Sequence, residues 1–167
     1  YGKYPTVGAY QSVASPYFHW YRFSEFPDKY ESWWGIPILP RLNHEDEGCR
    51  RYFTGENGIL RKYLKMGASG WRLDVADELS DLFLDELRKA VKDEDPDALI
   101  IGEVWESAGH WLRGDMFDST MNYDFRKHCR AFFAEKRIDA AEFSGRVTDM
   151  LMRYRLQMLP AQMNLLD

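Results

Sequence analysis

The chain has 167 residues, 45% of them hydrophobic and 29% charged, with a formal net charge of −5. That length supports one hydrophobic core but is short for a (β/α)8 barrel, which runs to roughly 250 residues, and the acidic balance argues against a nucleic-acid or anionic-membrane partner. No apolar run reaches the ~20 residues of a membrane span and no signal peptide opens the chain, which leans towards the cytoplasm without fixing a compartment. Cys49 and Cys129 belong to no motif and read as buried free thiols. His19, His44, His110 and His128 show no metal-ligand spacing.

Residues 1–40 crowd aromatic side chains between prolines: Tyr17, Phe18, Trp20, Tyr21, Phe23, Phe26, Tyr30, Trp33 and Trp34 alternate with Pro5, Pro16, Pro27, Pro37 and Pro40. No period of two or 3.6 persists, which predicts irregular loop with short turns. Such rings either stack on sugars beside a polar cleft or pack a loop that lacks regular structure. Trp33 and Trp34 are candidate contacts on the first reading. A helix is predicted over 45–65 from apolar Tyr52, Phe53, Ile59, Leu60 and Leu64. Gly55 and Gly58 weaken its middle, so one helix and two shorter pieces are both open, and Gly67 suits its C-terminal cap.

The stretch from Gly70 to Glu78 is the one around which the rest of the chain is organised. Trp71, Leu73 and Val75 form the apolar run of a buried parallel strand. Residues two apart share a face, so Arg72 and Asp74 point the same way. Opposite charges there either close a core as an ion pair or meet something from outside. Ser80 then caps a helix whose apolar stripe is Phe83, Leu87, Ala90 and Val91, with Lys89 and Lys92 near its C-terminal end and Asp95-Pro96-Asp97 as its stop. A second buried strand, Ala98 to Trp105, carries Glu103. This is one strand–helix–strand unit with the crossover length of a parallel pair.

Twenty-nine residues separate Asp74 from Glu103, which places each carboxylate at the C-terminal end of its own strand. Neighbouring strands lie about 4.8 Å apart. Retaining glycosidases need two carboxyls roughly 5–5.5 Å apart and inverting ones several ångströms more, so the spacing suits retention. A carboxylate beside Arg72 should stay ionised, while Glu103, beside the apolar face of Trp105, should hold its proton.

Further on, His110-Trp111-Leu112 reads as a helical turn and Ser119-Thr120-Met121 as a brief strand. A helix is expected over Phe125–Ala134 with Phe132 and Phe133 inward. Asp139 and Glu142 have capping-box spacing, and Phe143, Val147, Met150, Leu151 and Tyr154 form the apolar stripe of a last helix. Pro160 ends that segment, and Gln162 to Asp167 starts a strand.

Gly70-Trp71-Arg72-Leu73-Asp74-Val75-Ala76-Asp77-Glu78 and Gly102-Glu103-Val104-Trp105-Glu106 resemble two signature segments of the α-amylase family of glycoside hydrolases (family 13). The similarity is nearest to neopullulanases, cyclomaltodextrinases and maltogenic amylases. It continues through Trp111-Leu112-Arg113-Gly114-Asp115-Met116-Phe117-Asp118 and Met121-Asn122-Tyr123, and covers Leu39-Pro40-Arg41-Leu42-Asn43. The resemblance implies an α/β fold: a partial (β/α)8 TIM barrel, about strands 4 to 7, preceded by an aromatic-rich irregular region. Residues 1–43 would be the domain B-like excursion after the third barrel strand. Residues 44–167 would be part of the catalytic barrel, ending before the seventh-strand Ser-His-Asp segment that supplies a third carboxylate. The Asp-x-x-x-Asn-His segment of the third strand is absent, since Asn43-His44 lacks its aspartate.

By the same resemblance Asp74 is the nucleophile, Glu103 the acid/base and Arg72 the partner of the nucleophile. Trp105, Asn43, Asp77, Glu78 and Asn122 are further candidate substrate contacts; Asp77 departs from the Asn usual in the branch. The implied activity is retaining hydrolysis of α-1,4 or α-1,6 bonds in maltooligosaccharides, cyclodextrins, pullulan or starch by the full-length enzyme, the chain alone being inactive. No cofactor and no metal-binding residue is expected, calcium being the one ion the resemblance leaves open. The expected partner is an α-glucan or maltooligosaccharide, with no nucleic acid and no membrane, and a homo-oligomer is compatible with the branch. Two rivals stand beside this reading: a non-catalytic amylase-like scaffold resembling amino-acid transporter heavy subunits, against which Arg72, Asp74 and Glu103 speak together, and an unrelated α/β domain with structural charges.

Overall fold

A computed structural model describes residues 5–166; Asp167, the last residue of the expected closing strand, lies outside the described residues. The chain forms two compact units, Tyr1–Ile59 and Leu60–Asp167.

The first unit is mostly turns and loop, as its sequence predicts, with a short hairpin that the sequence did not reveal. Strands β1 (Phe23–Glu25) and β2 (Lys29–Tyr30) pair antiparallel, and isolated bridges join Tyr21 to Leu42 and Ser32 to Pro40. Two- and three-residue strands are too short to show a period, so rings hold the hairpin instead. Phe18 stacks on Phe23 with centroids 5.0 Å apart, and Phe26 and Tyr30 meet Phe23 at 5.3 and 5.8 Å. The crowded aromatics therefore pack mainly against one another. Helix α1 (Glu47–Thr54) closes the unit, its first turn capped by Asp46, whose carboxylate accepts from the Cys49 N–H at 2.8 Å.

The predicted 45–65 helix is divided. Helix α2 (Ile59–Lys65) begins after a break in which a side chain at Gly55 or Gly58 would stand 2.5 Å from the Arg51 or Phe53 carbonyl oxygen. Only glycine fits so close an approach. Gly67, at φ 103°, ends α2 in the conformation expected of a helix terminus.

The second unit is an α/β layer built on four parallel strands in sequential order. These are β3 (Gly70–Leu73), β4 (Leu99–Gly102), β5 (Ser119–Asn122) and β6 (Met163–Asn164). Between β3 and β4 runs α3 (Asp81–Glu94), capped by the Ser80 hydroxyl as expected and burying Phe83, Leu84, Leu87, Ala90 and Val91. Asp118, just before β5, ties three elements together. Its carboxylate meets Arg88 of α3 at 2.9 Å and Lys92 at 2.8 Å, and accepts from the Ile100 N–H of β4 at 3.0 Å. Burial works against the charged form of Asp118, yet these hydrogen bonds outweigh it and hold the carboxyl below its usual range.

Two expectations about the C-terminal helices need correction. Tyr123–Cys129 is an α-helix (α4), but Arg130–Ala134 widens into a π turn in which Phe132 is half-buried and Phe133 does not point inward. Phe133 is 67% exposed; His128, Cys129 and Ala131 are the buried residues of this stretch. The extra residue per turn rotates the face that a 3.6 period assigns to the core. Helix α5 (Ala140–Met152) carries the Asp139 cap and buries Met150, whereas Leu151 stays 40% exposed; Phe132 instead stacks on Phe143 at 4.8 Å.

Candidate active site

The register of β3 against β4 builds the site. Gly70 lies opposite Leu99 and Leu73 opposite Gly102, an offset of twenty-nine residues, so the next pair in line is Asp74 and Glu103. The ladder continues past the strands: the Glu103 N–H donates to the Leu73 carbonyl, and the Ala76 N–H donates to the Glu103 carbonyl, both at 2.9 Å. Two glycines permit the approach. A side chain at Gly70, whose φ is 152°, would meet the Leu99 backbone at 2.2 Å, and one at Gly102 would meet the buried Phe117 ring at 2.4 Å.

One guanidinium spans both carboxylates. Arg72 Nη1 contacts Asp74 Oδ1, while Nη2 lies 3.1 Å from Glu103 Oε1. Arg72 and Asp74 do share a face, as their spacing requires. The Asp74 side chain is 78% exposed and open to an incoming molecule, whereas that of Glu103 is 11% exposed.

Two donors to Glu103 escaped the sequence reading. The Val75 N–H donates to Oε2 at 3.0 Å, and the Tyr123 hydroxyl donates to Oε1 at 3.3 Å. Val75 achieves this by leaving the strand at φ 44° and ψ 52°. A β-branched residue in that left-handed region costs about 1–3 kcal/mol, and such strain persists where neighbouring bonds over-determine it. No periodicity signals such a turn. Tyr123 did carry a signal: it follows β5 directly, at the same sheet end as Asp74 and Glu103.

The ionisation expected of Glu103 is corrected by this surrounding. Burial pushes its pKa up, but the hydrogen bonds from Val75 and the Trp105 side chain, the Arg72 charge and the Tyr123 hydroxyl together pull it below the ordinary value. Trp105 is 54% exposed and serves as a donor, not as an apolar wall. In this arrangement Glu103 is a carboxylate.

The remaining candidates divide. Asp77, exposed, and Glu78, half-buried, sit in the 3-10 turn Ala76–Glu78 directly after Val75. Trp105 lies beside Tyr123, ring centroids 6.4 Å apart. Asn122 is buried and occupied by the fold, accepting from the Phe125 N–H at 3.3 Å to cap α4 and donating to Asn164 at 2.9 Å to join β5 to β6. Asn43 belongs to the first unit, where its side chain accepts from Arg22 at 3.1 Å and donates to the His19 carbonyl at 3.0 Å. Trp33 and Trp34, in the same unit, stack at 4.7 Å with Trp34 70% exposed.

Known proteins share this sequence and this fold. The family described as "Alpha amylase, catalytic domain" matches residues 13–165. Neopullulanase 2 of Thermoactinomyces vulgaris is 39% identical over 160 residues, covering 92% of this chain and 27% of the relative. A cyclomaltodextrinase of Geobacillus thermopakistaniensis is 36% identical over 95% of this chain and 29% of its own length. Among solved structures, the cyclic alpha-maltosyl-(1→6)-maltose hydrolase of Arthrobacter globiformis in complex with maltose superposes with a TM-score of 0.88 at 30% identity, over 93% of this chain and 36% of that one. The chain thus spans between a quarter and a third of the length of these two curated relatives. Matched over nearly its whole length, the chain belongs to the alpha-amylase catalytic-domain family.

Proposed function

We propose that the full-length protein is a retaining glycoside hydrolase acting on α-1,4 or α-1,6-glucosidic bonds of maltooligosaccharides, cyclodextrins, pullulan or starch, and that this chain supplies its nucleophile and its acid/base. The carrying observation is the in-register pair Asp74 and Glu103, bridged by one guanidinium at the ends of adjacent parallel strands. A covalent mechanism needs its two carboxyls roughly 5–5.5 Å apart, and ends of adjacent strands, about 4.8 Å apart, bridged by one guanidinium suit that separation. The four sequential parallel strands would be about strands 4 to 7 of the (β/α)8 barrel, and residues 1–43 its domain B-like excursion, with residues 44–167 belonging to the barrel.

Asp74, exposed and beside Arg72, attacks the anomeric carbon. Glu103 protonates the leaving oxygen, then removes a proton from the water that releases the sugar. A sugar oxygen seated at Glu103 displaces Arg72 and Tyr123 from Oε1 and excludes water. Both changes raise the carboxyl pKa and let the group carry a proton into the reaction. Trp105, Asp77 and Glu78 border the same strand ends and are the substrate contacts this reading favours.

The test is proton NMR of full-length protein on maltotriose or cyclodextrin. The first-formed reducing end should be the α anomer, with Asp74→Asn and Glu103→Gln each removing nearly all turnover. A β-anomeric product would replace retention by inversion, and turnover surviving Asp74→Asn would take the nucleophile's role from it.

A further inference from the structure

The aromatic stretch that opens the chain builds a cavity of about 750 Å³, and the proposed reaction leaves it unused. Its walls include the rings of Tyr17, Trp20, Tyr21, Phe23, Tyr30 and Tyr52, and every lining residue belongs to the first unit. The volume lies within the roughly 300–1,000 Å³ of sites that take small molecules. These walls are set before any ligand arrives. Trp20 meets Tyr17 with ring centroids 4.9 Å apart and Tyr52 at 5.1 Å, while Phe23 is stacked on Phe18 at 5.0 Å. The Tyr30 hydroxyl donates to the Pro37 carbonyl at 2.8 Å, which fixes that ring as well. Rings held in this way lose little freedom on binding, so association costs less.

The chemistry of the lining selects the occupant. Among the described residues no charged side chain lines the cavity, although 29% of the chain is charged. An ion entering it would give up water and meet no opposite charge. The rings offer apolar faces, yet polar groups stand among them. The Tyr21 and Tyr52 hydroxyls make no hydrogen bond among the described residues. The Gln11 side chain spends its carbonyl on the Gly8 N–H at 2.9 Å and keeps its amide N–H groups to donate. The matching ligand is neutral, with an apolar face to lie on a ring and hydroxyls along its edge. A pyranose has that form, with C–H groups on its faces and hydroxyls round its rim. We propose that this cavity is a second carbohydrate site that holds a neutral α-glucan segment against Trp20 and Tyr52, with Tyr21 and Gln11 supplying hydrogen bonds. The choice of an α-glucan rests on the reading of the catalytic pair; the choice of a neutral saccharide rests on the cavity.

The experiment titrates maltose, cellobiose and cyclohexanol by calorimetry into the full-length protein carrying Asp74→Asn, with Tyr52→Ala, Tyr52→Trp and Tyr21→Phe added singly. Tyr52 is 51% exposed, so its replacement does not open the core, and Tyr21→Phe removes one hydroxyl and no ring. Maltose should fill one site that Tyr52→Ala weakens by about tenfold or more, Tyr21→Phe weakens by about fivefold and Tyr52→Trp retains. That site should be insensitive to added salt, because no charge takes part. Maltose binding unchanged in both Tyr52→Ala and Tyr21→Phe overturns the proposal. Cyclohexanol binding there as tightly as maltose would leave an apolar pocket only, and cellobiose binding equally would remove the α-glucan; either also overturns it. Because binding is read without turnover, hydrolysis that survives Asp74→Asn would sink the mechanism and leave a Tyr52-dependent maltose site standing.

Discussion

Arg72 is the residue on which the site's electrostatics turn, since its two nitrogens face two carboxylates with different tasks. Its charge is one of the forces holding Glu103 below the ordinary carboxyl range. Arg72→Ala in the full-length protein should raise the Glu103 pKa. The acid must be protonated to work, so the basic limb of kcat/KM should move to higher pH, and turnover should fall by about a hundredfold as a transition-state partner is lost. Steady-state kinetics across pH check both effects; wild-type turnover would return Arg72 to a structural role. The sequence placed Arg72 and Asp74 on one face by counting in twos. It missed the state of Glu103, because the Val75 amide reaches that carboxylate only after a left-handed step no spacing announces.

At the level of elements, the site depends on how closely β4 passes Phe117 and on how α3 is tied to the sheet. A methyl group at Gly102 would stand 2.4 Å from a ring that is 0% exposed. Gly102→Ala should destabilise the protein by about 1–3 kcal/mol through overpacking, and lower turnover because Glu103 is the next residue. Urea unfolding with activity assays checks this.

Asp118→Asn should also destabilise, by about 2–3 kcal/mol at neutral pH. That is below the cost for a fully buried pair because Arg88 and Lys92 remain 21% and 24% exposed. The folded pKa of Asp118 is depressed, so its contribution is complete above the unfolded value near 4 and is lost as pH falls through the folded one. Wild type and variant should therefore converge in stability as acid is added below about pH 4, and a gap constant down to pH 2 would refute the ion-pair account. The Ser80 cap and the α3 stripe were legible because both are local patterns. The π turn that exposes Phe133 was not, since it breaks the period from which the inward face was read.

For the whole molecule, the parallel sheet has outer strands β3 and β6 with one neighbour each among the described residues. Unpaired strand edges are templates for pairing with another chain. The 167-residue chain expressed alone should associate, as seen by sedimentation, and release no reducing sugar from starch, pullulan or cyclodextrin. A monomer that hydrolyses any of these, with Asp74→Asn abolishing it, would overturn that expectation.

The sequence by itself determined the strand–helix–strand unit, the C-terminal placement of both carboxylates and the weak middle of the 45–65 helix. All three follow from periodicity, caps and glycine, which act over a few residues. Only the tertiary structure decided the donors around Glu103, the employment of Asn122 as a cap and of Asn43 as a loop tie, and the ring-lined cavity of the first unit. Those depend on which side chains from distant segments meet, and the charge of a carboxyl follows from the sum of its neighbours, which no single stretch of chain contains.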